Sequence, residues 1–132
     1  MKIIRQNIIP FSGFKAINLF GVLFARKKAR LSNVDINHET IHSKQIVEVM
    51  LASLLITIPI AIFWLWWIGL TLTVCSYYIW YIVEFLFKLF RKGASMNSAY
   101  KNISFEREAY QNEKDLTYLD NRKLFSFIKY IK

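Results

Sequence analysis

Two histidines and one cysteine are the only imidazole and thiol groups in this chain of 132 residues. A lone cysteine, Cys75, excludes an internal disulfide. It sits inside a long apolar stretch and reads as a small core or lipid-facing residue. Acidic residues are also few: nine stand against 18 basic ones, a net charge of +9. From Val49 to Tyr81 there is no charge at all. Roughly 20 apolar residues suffice for one helical crossing of a bilayer, and this run is longer. The start, Met1-Lys2-Ile3-Ile4-Arg5-Gln6-Asn7, has no apolar core and no small-residue cleavage site. No secretory signal peptide is expected there, so the anchor is expected to be internal. Lys15, Arg26, Lys27, Lys28 and Arg30 precede the apolar run, and Lys88, Arg91, Lys92 and Lys101 follow it. These charges form no recognisable nucleic-acid module. The positive-inside rule puts both flanks in the cytoplasm. A multi-pass protein of the inner membrane is expected, with both termini cytoplasmic. Its expected partners are membrane lipids and a membrane protein or peptide substrate, not nucleic acid.

The block from about Ile46 to Phe90 is too long for one ordinary span and suits two. Unbroken, at ~1.5 Å per residue, it would exceed about 65 Å, against a hydrocarbon core of roughly 30 Å. A break is expected near Trp64-Leu65-Trp66-Trp67-Ile68-Gly69, because tryptophans gather at membrane interfaces and Gly69 permits a turn. Pro59 is expected to kink the first arm. A single tilted span plus a soluble helix is the alternative. Glu84 and Lys88, four apart, suit a helical ion pair. Upstream, Ile8 to Phe14 is broken by Pro10 and Gly13, and Ala16 to Arg26 is apolar. Two short strands with a turn near Gly13 fit; an amphipathic helix over Phe14 to Phe24 is the alternative. Downstream come a loop at Gly93 to Asn97 and a helical region from Ala99 to about Leu119. The tail, Arg122 to Tyr130, has the makeup of an amphipathic segment on an anionic membrane face. The expected fold is a mainly α membrane protein in a single domain, residues 1–132. It has a short N-terminal β element (1–36), a zincin-like helix leading into a two-helix transmembrane hairpin (37–90), and a C-terminal Glu-bearing cytoplasmic helix with a basic tail (91–132).

Both histidines fall in one motif, His38-Glu39-Thr40-Ile41-His42, an HExxH. Residues four apart share a helix face, so two imidazoles so placed can grip one zinc ion. The glutamate between them can serve as general base on a water at the metal. The plain alternative is a pair of histidines that decorate a helix end. Leu31 to Asn37 supplies capping residues, so a helix starting near Asp35 or Asn37 is expected. Gln45 lies on the same face and keeps it polar. It could orient a ligand or substrate, or cap that face.

Catalytic zinc usually takes three protein ligands and leaves one position open. With no third histidine, the third ligand must be Glu, Asp or Cys75, and Cys75 lies deep in the apolar block. The glutamates of Ile103 to Glu113 are the candidates. At about 100° per residue, Glu106, Tyr110, Glu113 and Thr117 share a narrow stripe that faces inward. Glu108 falls almost opposite, among Ser104, Gln111, Asn112, Asp115 and Arg122, and reads as solvent-facing. A buried carboxylate needs a partner, and a metal ion would be one. Glu106 is therefore the favoured ligand, ahead of Glu113 and then Glu108. A structural pairing of Glu106 with Arg26 or Lys101 is the alternative.

HExxH at the mouth of a membrane helix, a hairpin, and then Phe105-Glu106-x-x-Ala109 resemble the gluzincin membrane metallopeptidases. Nearest in pattern are the HtpX heat-shock protease and the CAAX prenyl protease group, with BlaR-type receptor metalloproteases a looser match. The pattern also looks like small bacterial membrane proteins of the HExxHxxQ kind. The resemblance implies Zn2+ on His38, His42 and Glu106, with Glu39 as general base. It departs at Tyr110, where those families usually place Asp, and in length. Tyr110 could donate to a developing oxyanion or simply pack. The expected function is a zinc-dependent peptidase hydrolysing a peptide bond at the cytoplasmic membrane surface. The alternatives are a non-enzymatic small membrane protein with a structural or vestigial metal site, and an amidase or lipid-directed hydrolase.

Overall fold

The computed structural model describes residues 2–10, 14–63, 65–91 and 93–132. Gly13, Trp64 and Lys92, to which an expected turn, break and flank were assigned, lie outside the described residues.

The first long helix, α1, spans Asn33–Phe63. Ser32 and Asp35 start it reciprocally. Ser32 Oγ accepts from the Asp35 amide at 3.1 Å, and the Asp35 carboxylate accepts from the Ser32 amide at 2.8 Å. This pair satisfies first-turn donors, so the helix begins upstream of the expected start at Asp35 or Asn37. It carries the whole HExxH motif and stays helical through Pro59. The second, α2, spans Trp66–Leu89. Both are long and apolar enough to cross a membrane. Their outward faces stay bare of protein: Leu55, Ile62, Phe63 and Trp66 are exposed. An apolar patch of that extent marks a surface built to be covered.

Gly69 does not make a turn. It lies within α2, where an added Cβ would stand 2.6 Å from Ala61 Cβ and 2.7 Å from the Thr57 carbonyl oxygen. Its service is close approach of the two arms, which a hydroxyl contact of 2.6 Å between Thr57 and Thr73 reinforces. Gly69→Val is expected to cost about 1–3 kcal/mol through overpacking. The check is denaturant unfolding in detergent; an unchanged midpoint would mean that the arms do not depend on this contact.

The β element is a three-stranded sheet in the order β1-β3-β2, with β1 at Lys2–Gln6, β2 at Ala16–Leu19 and β3 at Val22–Arg26. β1 runs parallel to β3 and β2 antiparallel to it. Ala16 to Arg26 is thus a hairpin rather than one strand or a helix. It turns on Phe20 and Gly21, both at positive φ (52° and 79°), as a tight hairpin requires. Ile8 to Pro10 is not strand, whereas Lys2–Gln6 is, because β3 offers it backbone partners.

The C-terminal region is α3 (Met96–Lys101), α4 (Ser104–Asn112), α5 (Tyr118–Asn121) and a 3-10 turn at Ser126–Tyr130. The single helix expected over Ala99 to Leu119 is broken, and α3 takes part of the expected loop. At one break, the Ser104 amide and hydroxyl both donate to buried Glu84, at 2.9 and 2.6 Å. Glu84 therefore anchors α4 as well as facing Lys88 at 3.7 Å. The tail is partly buried: Ser126 and Phe127 turn inward while Leu124 and Ile128 stay exposed. Phe127 is 1% exposed and packs on Phe105 and Trp80. Arg122 is drawn in by Glu48 and Glu108. Glu108 is fully buried, against the expectation of a solvent-facing carboxylate. Arg122 and Tyr118 supply the donors that make its burial tolerable.

Candidate metal centre

His38 and His42 project from successive turns of α1, their Nε2 atoms 3.1 Å apart. Glu106, in the first turn of α4, completes the group. Its Oε2 is 3.5 Å from His38 Nε2 and its Oε1 3.5 Å from His42 Nε2. The three ligand atoms lie within 4.8 Å of one another, and the buried group could hold a metal ion. Local bonds set this geometry. Asn37 Nδ2 donates to the carbonyls of Glu113 and Asp115, both at 3.0 Å, clamping the end of α4 onto α1. Tyr81 of α2 donates its hydroxyl to Glu106 Oε1 at 2.8 Å. On the other side, Asn18 of β2 donates to the Glu39 carbonyl at 2.6 Å.

The donor set itself argues for a cation. His38 Nδ1 lies 2.8 Å from Glu113 Oε2. An ionised carboxylate only accepts, so Nδ1 carries the proton, and in the neutral ring Nε2 keeps its lone pair. His42 Nδ1 faces the Gln45 amide oxygen at 2.8 Å, with the same consequence. With both rings neutral, two lone pairs then point at each other and at a carboxylate, and none can bond another. Glu106 Oε2 is buried with no hydrogen-bond partner among the described residues. A divalent ion resolves all three at once, and nitrogen and oxygen donors of this kind suit several such ions. Positive charge suits the Glu106 carboxyl: burial works against its ionised form, but His42 and His38, when protonated, outweigh that and hold it well below the usual carboxylate range.

Each residue named from the sequence has a place. Glu39 lines two cavities beside the group, one of about 380 Å3 and one of about 710 Å3. Tyr110 is 41% exposed, its ring 4.8 Å from that of His38, at the edge of the larger cavity rather than in a core. Burial and then the Glu106 charge push its phenol up, so it stays protonated. Glu113 meets His38 Nδ1, on the far side of the ring from Glu106. It gives His38 a carboxylate partner from one turn beyond Tyr110. Glu108 meets Gln45 and Arg122 and stands behind the site. The hydrogen bond to Glu106 comes from Tyr81, not from Arg26 or Lys101.

Sequence reasoning missed Tyr81, Asn37, Glu48 and Arg122. For Glu48 a signal existed: it follows Gln45 by three residues on the same face and needs a cation. For Tyr81 there was none, since an aromatic at the end of a membrane arm reads as an interface anchor. Family models, curated proteins and solved structures offer no match to this chain. Fold and site by themselves define a mainly helical chain with two membrane-competent helices, a small sheet, and a buried His-His-Glu group able to hold a metal.

Proposed function

We propose that this chain is a zinc-dependent peptidase of the gluzincin type, working at the cytoplasmic surface of the inner membrane. The carrying observation is the convergence of two lone-pair nitrogens and an orphaned carboxylate oxygen, with Glu39 lining the cavities beside them. Zinc held by His38, His42 and Glu106 would supply Lewis acidity to a peptide carbonyl and make an attacking water more acidic. The Glu39 carboxylate takes a proton from that water and passes it to the leaving nitrogen. Tyr110 donates its hydroxyl to the oxyanion as it develops.

A peptide suits the site better than a lipid. β2 is an edge strand, and Ile17, Asn18 and Leu19 line the smaller cavity alongside His38, His42 and Glu106. An extended peptide can add to such an edge through main-chain hydrogen bonds. Ile82 of α2 also lines that cavity and is exposed on a candidate span. Substrates are therefore membrane proteins or peptides held close to the bilayer, with lipids around α1 and α2.

The test uses the full chain in lipid vesicles, loaded with zinc and offered a set of membrane-associated peptides. Cleavage is expected, lost with a chelator and restored by added zinc. Zinc-loaded protein that cleaves none of them would favour a non-enzymatic membrane protein with a structural metal.

A further inference from the structure

We infer that Gln45, Glu108 and Arg122 form a relay that decides which nitrogen of His42 faces the metal, so that Glu108 controls metal affinity without touching a ligand. The inference rests on the metal reading above and adds residues to it. Gln45 is fully buried. Its Nε2 donates to the Phe105 carbonyl at 3.1 Å and to Glu108 Oε2 at 3.0 Å. Both partners only accept. Turned over, the amide would aim its oxygen at two acceptors, so its orientation follows from chemistry. The Gln45 oxygen must then face His42 Nδ1, at 2.8 Å, and that nitrogen must carry the proton. A neutral imidazole has one proton, which leaves Nε2 bare toward Glu106 and His38.

Tyr77 does not supply this choice. Its hydroxyl is 3.3 Å from the same Nδ1, and a hydroxyl can donate or accept. The deciding element is Glu108, which is itself immobilised. Arg122 donates from Nε to Glu108 Oε1 at 2.6 Å and from Nη2 to Oε2 at 3.2 Å. Tyr118 donates to Oε1 at 2.8 Å. The guanidinium also forks onto Glu48. Stability alone is a weak reason to bury such a cluster, because well-packed apolar replacements often serve as well. Its end point on a ligand histidine is a better one. His38 needs no relay, since Glu113 meets its Nδ1 directly and is partly exposed.

The test is zinc titration of the full-length chain in detergent for wild type, Gln45→Met, Glu108→Gln and the double variant. Either single change is expected to weaken zinc binding by about 10–100-fold, as loss of a ligand's outer hydrogen-bond partner does. In Glu108→Gln the new amide N–H can face Gln45 and let it turn over. The double variant should bind no more weakly than Gln45→Met alone, because both act through one hydrogen bond. Additive losses, or wild-type affinity in Glu108→Gln, would overturn the relay. A second readout needs no variant. With only two histidines in the chain, nitrogen-15 spectra of the zinc-loaded wild type should show the His42 proton on Nδ1; a proton on Nε2 would overturn the relay. Wild-type protein that binds no zinc would instead overturn the metal reading beneath it.

Discussion

Glu39→Gln is expected to leave zinc content unchanged and to lower hydrolysis by about 10²–10⁴-fold, the usual worth of a general base. The two halves of that result come from different geometry. Glu39 sits between the ligand histidines in sequence, yet the metal group consists of His38, His42 and Glu106. Glu39 instead lines the cavities where substrate and water would lie. Glutamine keeps the shape and the accepting oxygen but cannot take up a proton at neutral pH. Metal analysis and peptide cleavage on the same sample separate the effects. Loss of zinc together with activity would place Glu39 in the metal's coordination. Unchanged cleavage would remove it from the mechanism.

The largest change in metal binding should come from Glu106→Gln. A site of this kind is worth about 10 kcal/mol, and losing one of three ligands removes on the order of 3 kcal/mol, a hundredfold or more in affinity. Glutamine still offers an oxygen to the Tyr81 hydroxyl, so the packing around position 106 should survive. What disappears is the negative charge that would meet the metal ion. Competition titration against a chromophoric chelator gives the affinity, and circular dichroism checks the fold. Wild-type affinity in this variant would sink the ligand assignment. Glu113→Gln makes the useful contrast: it touches only the outer nitrogen of His38, so its loss should be the smaller of the two.

Much of this could be read from residue order. The two apolar arms, the HExxH face and the inward-facing Glu106 follow from helical period and from the absence of charge, but Tyr110 and Thr117, expected on the same inward stripe, are exposed. What could not be read depends on partners far apart in sequence. Glu108 looked solvent-facing because its neighbours on the helix are polar; its burial depends on Arg122, Tyr118 and Gln45. Basic and aromatic residues alternate in the tail and give it an amphipathic makeup. That Arg122 and Phe127 turn inward depends on Glu48, 74 positions upstream, and on the aromatic cluster around Phe105. Gly69 looked like a turn because glycine often is one. Only the facing Ala61 shows that it is a point of contact. β1 was overlooked because a parallel neighbour is invisible in a short local pattern.

The hairpin separates the ligands along the chain: His42 comes before it and Glu106 after it. Translation therefore makes two nitrogens long before the oxygen exists. A nascent chain holding α1 alone has an incomplete grip, and so does one whose second arm has failed to return. Three ligands meet only when both arms are seated and Tyr81 and Asn37 have drawn α4 into place. Any metal that needs all three groups can thus be held only by the finished fold.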